Sequence, residues 1–284
     1  MELTVTPRDG LYGPSSVTWR VHTEPILWVA GVRALYLQAL HPRTMRGTAQ
    51  NSLLMDPEHA WSRFQRTVAF VGVRTFGTRA QVERAARRVR MIHARLRGLD
   101  PDTGEIYRLD DPENLLWVHC GEIDSYLDVA RRAGVPLTDA EADAYVDEQR
   151  RSAEVVGLDP ALAPGSVAEL AAFFDGMRPR LHACAEAREG LRRSFNPPLP
   201  RVLLPLKLGP LPALGALAFA TLPPWARAMY GTPGSAATDV GATAALRALR
   251  RATLRIPARL ASPEIREARR LMREAAAPSL PLAS

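Results

Sequence analysis

Apolar residues recur along this chain at the three-to-four-residue spacing of α-helices, and no segment shows alternating strands set between hairpin turns. Pro25 opens a predicted helix, apolar on almost every side, that runs to Leu40 and is ended by His41-Pro42-Arg43. Asp56-Pro57 supplies an N-cap and a first-turn proline for a second, to Val73, which Phe76-Gly77-Thr78 breaks. A third spans 80–96 ahead of Gly98. The turn-rich segment 98–111 reads as a loop, and Asp111-Pro112 starts a helix to Arg132. Thr138 with Glu141 and Ser166 with Glu169 are capping-box signatures for helices to Val156 and Leu191. The proline-rich stretch 195–212 is a connector, followed by helices near 213–230, 239–254 and 263–276. The apolar helix after the connector needs the earlier helices to bury it, so the pattern predicts an all-α fold, a single globular multi-helix domain over residues 1–284.

Two helices depart from simple amphipathicity. With Val82 at zero on a helical wheel, Ala86, Val89, Ile92 and Leu96 share one face, and His93 falls at about 20°, inside that stripe. An imidazole in an apolar stripe is either a hydrogen-bonded core residue or a ligand. In the preceding helix Trp61, Phe64, Val68 and Val71 form one apolar stripe. Arg63, Arg66, Thr67 and Phe70 form a second face that mixes two guanidiniums, a hydroxyl and a ring. That mixture suits either a solvated flank or the wall of a site, where arginines bind anionic groups and a hydroxyl bonds a bound oxygen species. His119 lies at the edge of the buried face of its helix, and Cys120 beside it is a core residue or a thiolate ligand.

Charge adds one feature. The net charge is +7, yet residues 201–284 alone hold twelve Lys/Arg against four Asp/Glu, so the basic excess belongs to the C-terminal third. Such a block is a solvated helical face or a contact for an anionic surface. Cys120 and Cys184 form no C-x-x-C or zinc spacing and fit a reducing compartment. The start, MELTVTPRDGLYGPSS, has no charged n-region followed by an apolar run, so a cytoplasmic location is expected. No Walker A, G-x-S-x-G, G-x-G-x-x-G, His-x-x-x-His or paired Glu-x-x-His pattern is present.

The ordered set LQALHP, DPEHAWSRFQRTVAFVGVRTFGT, VRMIHARLRG, DPENLLWVHCGEIDSYL and LPPWARAMYG resembles the MpaB-like oxygenase family, which includes the catalytic domain of the latex-clearing protein, or rubber oxygenase. The resemblance covers residues 10–235 and leaves a basic helical part, 236–284. It implies an all-α fold enclosing a cofactor pocket for haem b. The family's R-x-x-[KR]-T segment matches Arg63, Arg66 and Thr67 on the distal side, with Phe70 further along the same strip. Its iron-ligating histidine matches His93, and His119 matches a histidine near the haem. The rubber oxygenase has lysine where this chain has Arg66, and many relatives read His-Ser where Asn51-Ser52 stands. Its secretion signal has no counterpart either, so an extracellular polymer is not the expected substrate.

These residues lead to an expected oxygenase or oxidase acting on a small hydrophobic, terpenoid- or lipid-like substrate, with dioxygen and an electron donor where the reaction needs one. No nucleic acid partner is expected. The alternative is a non-catalytic helical haem- or lipid-binding protein, with peripheral membrane contact through the basic C-terminal third.

Overall fold

Prolines, glycines and short polar caps divide the chain into the helices of the structure, a computed structural model that describes residues 9–52, 56, 59–195 and 209–276. They are α1 (Val17–His22), α2 (Leu27–Gln38), α3 (Pro42–Asn51), α4 (Ala60–Phe76) and α5 (Arg79–Arg95), followed by a hairpin of β1 (Arg97–Leu99) and β2 (Ile106–Arg108). Then come α6 (Pro112–Arg132), α7 (Asp139–Glu148), α8 (Arg150–Val155), α9 (Val167–Met177) and α10 (Ala185–Ser194). The last are α11 (Pro210–Ala220), α12 (Pro224–Met229), α13 (Ala236–Leu254) and α14 (Pro263–Ala276). The all-α expectation holds. Pro57 and most of the proline-rich connector lie outside the described residues.

Local chemistry explains the boundaries. Thr78 and Gln81 close a capping box on α5, and Thr138 with Glu141 does the same for α7. Asp111 caps α6 ahead of Pro112, and Gly134 at φ 83° turns the chain beyond it. Several prolines open helices where the pattern implied an end or a continuation. His41 Nδ1 accepts from the Thr44 amide at 3.3 Å, and Pro42 occupies the first turn of α3, so His41-Pro42-Arg43 starts a helix. The helix expected to reach Leu191 is cut at the 3-10 turn Arg178–Arg180 around Pro179, and the one expected over 213–230 is cut at Pro223-Pro224.

The segment expected as a loop contains the hairpin, paired antiparallel with Gly98 opposite Tyr107. A Cβ on Gly98 would stand 2.4 Å from Tyr107 Cζ, so only glycine lets the ring cross the strand here. The hairpin is clamped to α3. Gln50 exchanges two 2.8 Å bonds with the Leu99 backbone, Asn51 Nδ2 donates to the Arg97 carbonyl at 2.8 Å, and buried Arg46 pairs with Asp100 at 2.6 Å. Because β1 follows α5 directly, this clamp fixes the C-terminal end of α5, where His93 lies.

The main core forms where α2 lies along α6, with α11 against α2 and the apolar faces of α7, α9, α10 and α13 around them. Trp117, Leu37, Leu40, Ile123 and Leu246 are fully buried there. Arg33 is buried beside them and donates to Asp124 Oδ2 and Ser125 Oγ, both at 2.7 Å. A smaller cluster of Tyr12, Trp19, Phe76 and Leu271 seats α14 against α1 and the end of α4.

Between α1, α4, α6 and α7 lies a buried polar cluster. Arg74, 5% exposed, pairs with Glu122. Burial opposes the Arg74 charge, but Glu122 outweighs it and holds the pKa above its ordinary value. His22 links α1 to both neighbours, Nδ1 to Thr75 Oγ1 at 2.9 Å and Nε2 to Tyr145 Oη at 3.1 Å. Tyr12, whose phenol pairs with Ser152, is pushed up to about 12 by burial. Burial, then Arg74, lowers both His22 and His119 to about 3.

Two outcomes follow from this cluster. Truncating Arg74→Ala strands the Glu122 carboxylate and should cost about 3–5 kcal/mol in denaturant unfolding, with Arg74→Lys recovering part; a loss below about 1 kcal/mol would show that the pair anchors little. His22 and His119 stay neutral in the fold, whereas in the unfolded chain they protonate below the ordinary 6.5. The unfolded state then binds more protons, so stability is full above about pH 6.5 and declines towards pH 3, by up to about 1.4 kcal/mol per pH unit for each. Unfolding of His119→Gln between pH 7 and 5 should show a shallower decline than wild type, and an unchanged slope would contradict the burial of a neutral imidazole.

Candidate active site

Helix α4 leans on the domain by its C-terminal end. Arg74, Thr75 and Phe76 are buried, whereas no residue of its first three turns is. The apolar stripe expected from Trp61, Phe64, Val68 and Val71 is therefore not a core face. Of these only Val71 packs on the main core, Val68 is exposed, and Trp61 and Phe64 stack at 6.0 Å with Trp28 of α2 at 6.2 Å from Phe64. The stripe on α5 is likewise buried only in its first half. Val82 and Ala86 are inside, while Ile92 and neighbouring Met91 are exposed.

The structure brings Arg63, Thr67 and His93 together. Arg63 Nη1 donates to Thr67 Oγ1 at 2.6 Å across one helical turn. His93 faces this pair from α5, half-buried, with Nδ1 buried and lacking any hydrogen-bond partner. Burial lowers its pKa first, the Arg63 guanidinium lowers it further, and Asp110 opposes both. The ring is thus held neutral at pH 7, the form that binds metal. Arg63 is itself lowered, by burial and then by Arg66. Arg66 and Thr67 are exposed. Neither Arg63 nor Arg66 has a carboxylate partner among the described residues, so the Arg63 guanidinium stands beside a neutral imidazole with Arg66 next to it on the same helix face.

Phe70 and His119 belong to the other end of the strip. The Arg74 guanidinium lies 5.8 Å from the Phe70 ring centroid, and Arg74 is also the charge that His119 feels. Arg63 and Arg74 are eleven residues apart, about 16 Å along a helix, so these are two sub-sites on one face of α4. His119 is 5% exposed, inside its helix's buried face where the wheel placed it at the edge, and its Nε2 has no partner. Cys120 is fully buried, and burial raises its thiol pKa, as for a core cysteine.

Arg74 continues the Arg63–Thr67–Phe70 strip of α4, and Glu122 stands three residues after His119 on α6, so helical spacing places each on its own face, while their pairing depends on how the two helices pack. His22, Tyr126 and Tyr145 gave no comparable signal, because their meeting depends on how α1, α6 and α7 pack.

The donor set limits what can be held. No group of three or more His, Cys, Asp and Glu side chains converges on a metal position among the described residues. A lone neutral imidazole with acid-free guanidiniums fits a group that brings most of its own metal ligands and carries negative charge. The second unpartnered imidazole nitrogen, on His119, fits the same group.

Comparisons with known proteins agree with the architecture. A search of curated proteins and one of solved structures found no match. A family model described as "ER-bound oxygenase mpaB/B'/Rubber oxygenase, catalytic domain" matches residues 19–256, from α1 through the whole of α13, and takes in α4, α5 and α6 with the residues above. The chain belongs to this family of oxygenases.

Proposed function

We propose that this chain binds haem b between α4, α5 and α6 and acts as an oxygenase or oxidase on a small hydrophobic substrate of terpenoid or lipid-like character. One observation carries the reading: a neutral, half-buried imidazole whose buried Nδ1 has no hydrogen bond lies beside Arg63, which has no carboxylate partner and has Arg66 as its neighbour. Haem, when bound, supplies the iron that takes up and activates dioxygen.

The residues of this chain then have separable roles. His93 would hold the iron, and Arg63 keeps it neutral by making its protonation unfavourable. Arg63 and Arg66 would offset the carboxylate charge of the propionates. The Thr67 oxygen accepts from Arg63, and its hydroxyl donates back to the Arg63 carbonyl at 3.4 Å, a long bond that a group on the open side of α4 would have to replace. His119 would back the pocket, its ring fixed by burial next to Arg74. Exposed apolar side chains occur on the same two helices, Val68 on α4 and Met91 and Ile92 on α5, and Phe64 of α4 contacts Trp28. Apolar surface of this kind near the site is compatible with a substrate of little polarity.

The unpartnered Nε2 of His119 also supports a second reading, a non-catalytic haem carrier in which His119 as well as His93 would hold the group. An optical titration with hemin separates the possibilities. Wild type should develop a sharp Soret band that is lost or strongly shifted in His93→Ala, and dithionite plus carbon monoxide should shift the reduced band if a position stays open for oxygen. A carbon monoxide-insensitive spectrum would favour the carrier. A flat spectrum after hemin addition would sink both.

Two further outcomes are specific to this geometry. Arg63→Gln with Arg66→Gln should weaken hemin affinity by about tenfold or more, since each guanidinium contributes a charge-assisted hydrogen bond; unchanged affinity would place the propionates elsewhere. The lowered pKa of His93 means that protons compete with iron only below the ordinary 6.5. Hemin affinity should therefore stay level as pH falls from 8 to 6.5 and decline below that, whereas Arg63→Gln should move the onset of the decline to higher pH.

A further inference from the structure

The net positive charge of the C-terminal third is unevenly engaged. Arg227 is buried against Asp239 at 2.9 Å, and Arg250 holds Glu24 with two 2.8 Å bonds. Arg270 pairs with Glu267 and Glu274, and Arg269 donates to the Thr23 carbonyl at 2.7 Å. Arg227 joins α12 to α13, Arg250 and Arg269 tie α13 and α14 to the end of α1, and the Arg270 pairs lie within α14. No Asp or Glu occurs between Asp239 and Glu264, and within that interval the guanidiniums of Arg251, Arg255 and Arg259 have no ion-pair or hydrogen-bond partner among the described residues.

The same interval holds an unusual share of exposed aliphatic side chains. Leu254 is 46% exposed, Ile256 53% and Leu260 70%. The inner face of α13 is used for packing: Ala242 and Leu246 are buried, and Leu249 rests on the main core. The outward residues therefore alternate between free cations and bare hydrocarbon over about three turns of chain. Towards the start of the helix this strip meets an open cavity of about 670 Å³ between Arg132, Val240, Thr243, Arg247 and Arg251. Arg132 is fully committed there, donating to Thr243, Asp239 and Thr221, which leaves Arg247 and Arg251 at the rim.

We propose that the outer face of the end of α13 and the turn after it, presenting Arg251, Arg255 and Arg259 among Leu254, Ile256 and Leu260, is a docking surface for the anionic face of a lipid bilayer. Charge complementarity requires an anionic partner. The interleaving selects the kind. An acidic protein would have to bury three separated aliphatic chains between solvated cations, and nucleic acid would leave them in water. A bilayer takes both, with Leu and Ile sinking to the boundary of the acyl chains while the guanidiniums stay among the phosphates. No helix among the described residues is long and apolar enough to cross a membrane, so the contact is one of surface adsorption and reversible.

The test is co-sedimentation of the full chain with vesicles. Wild type should bind vesicles of equimolar phosphatidylcholine and phosphatidylglycerol, not those of phosphatidylcholine alone, and should be released as salt rises to about 0.5 M. Each arginine near an anionic surface is worth roughly fivefold in partitioning, so Arg251→Gln/Arg255→Gln/Arg259→Gln should reduce binding by about 100-fold. Leu254→Ser/Ile256→Ser/Leu260→Ser should weaken it and leave the residual binding more salt-sensitive. The matched control is Arg84→Gln/Arg87→Gln/Arg88→Gln on the exposed face of α5, which removes the same charge from another basic surface and should bind as wild type does. Thermal unfolding of each variant establishes that it is folded. Absence of wild-type binding to anionic vesicles would overturn the proposal. So would retention of binding by both variants of the 251–260 segment, or its loss in the α5 control alone.

Discussion

The geometry of the site depends on a single buried ion pair. Arg74 and Glu122 join the end of α4 to the middle of α6, and α6 is the helix against which α2 and most of the core are built. Once Glu122 fixes Arg74, the azimuth of α4 is fixed too, because Arg63, Thr67 and Phe70 follow from Arg74 by helical spacing. His22 and Thr75 complete the seat from α1. The N-terminal turns of α4 are then held by their helix and by α5 rather than by the core, so Arg63 remains beside His93 with no carboxylate to neutralise it, and Arg66 and Thr67 remain open on the same face. A helix buried along its whole length could not present that face.

The second constraint acts on the opposite wall. His93 sits near the C-terminal end of α5, where a helix on the domain surface would ordinarily fray. The hairpin that follows prevents this: Gln50, Asn51 and Arg46 of α3 bind its backbone and its turn, and Tyr107 Oη donates to the Arg43 carbonyl at 2.6 Å. Asn51 is thus part of the clamp that holds the end of α5 on which His93 lies. The two walls are tied to the domain through different helices, α4 through α6 and α5 through α3.

Much of this was legible in the residues. The caps at Asp111, Thr138 and Ser166 located three helix starts, because capping is a local contest between side chain and backbone. The placement of His93 in an apolar stripe and of Arg63 with Thr67 on one face required only the helical period. The errors share a cause. Pro42, Pro179 and Pro223 either start or cut a helix depending on whether a preceding residue can cap it, and His41 does so with an imidazole nitrogen, which residue-type preference underrates. The hairpin has three-residue strands, too short for an alternating pattern. Arg74 was passed over as another surface arginine in a chain full of them, since nothing in its own neighbourhood says that Glu122 lies opposite.

That abundance of arginine is informative once each is followed to its partner. Arg33, Arg46, Arg74 and Arg227 are buried, and each joins helices or the hairpin through carboxylates and main-chain carbonyls. A guanidinium suits that use because its planar fork can satisfy several acceptors at once while its charge remains fixed. Many exposed arginines among the described residues have no acid partner, so that alone carries no information. What sets Arg63 and the group of Arg251, Arg255 and Arg259 apart is their surroundings, a neutral imidazole beside the first and exposed aliphatic chains among the others. The proposed haem site and the proposed bilayer contact both rest on those surroundings rather than on the charge itself.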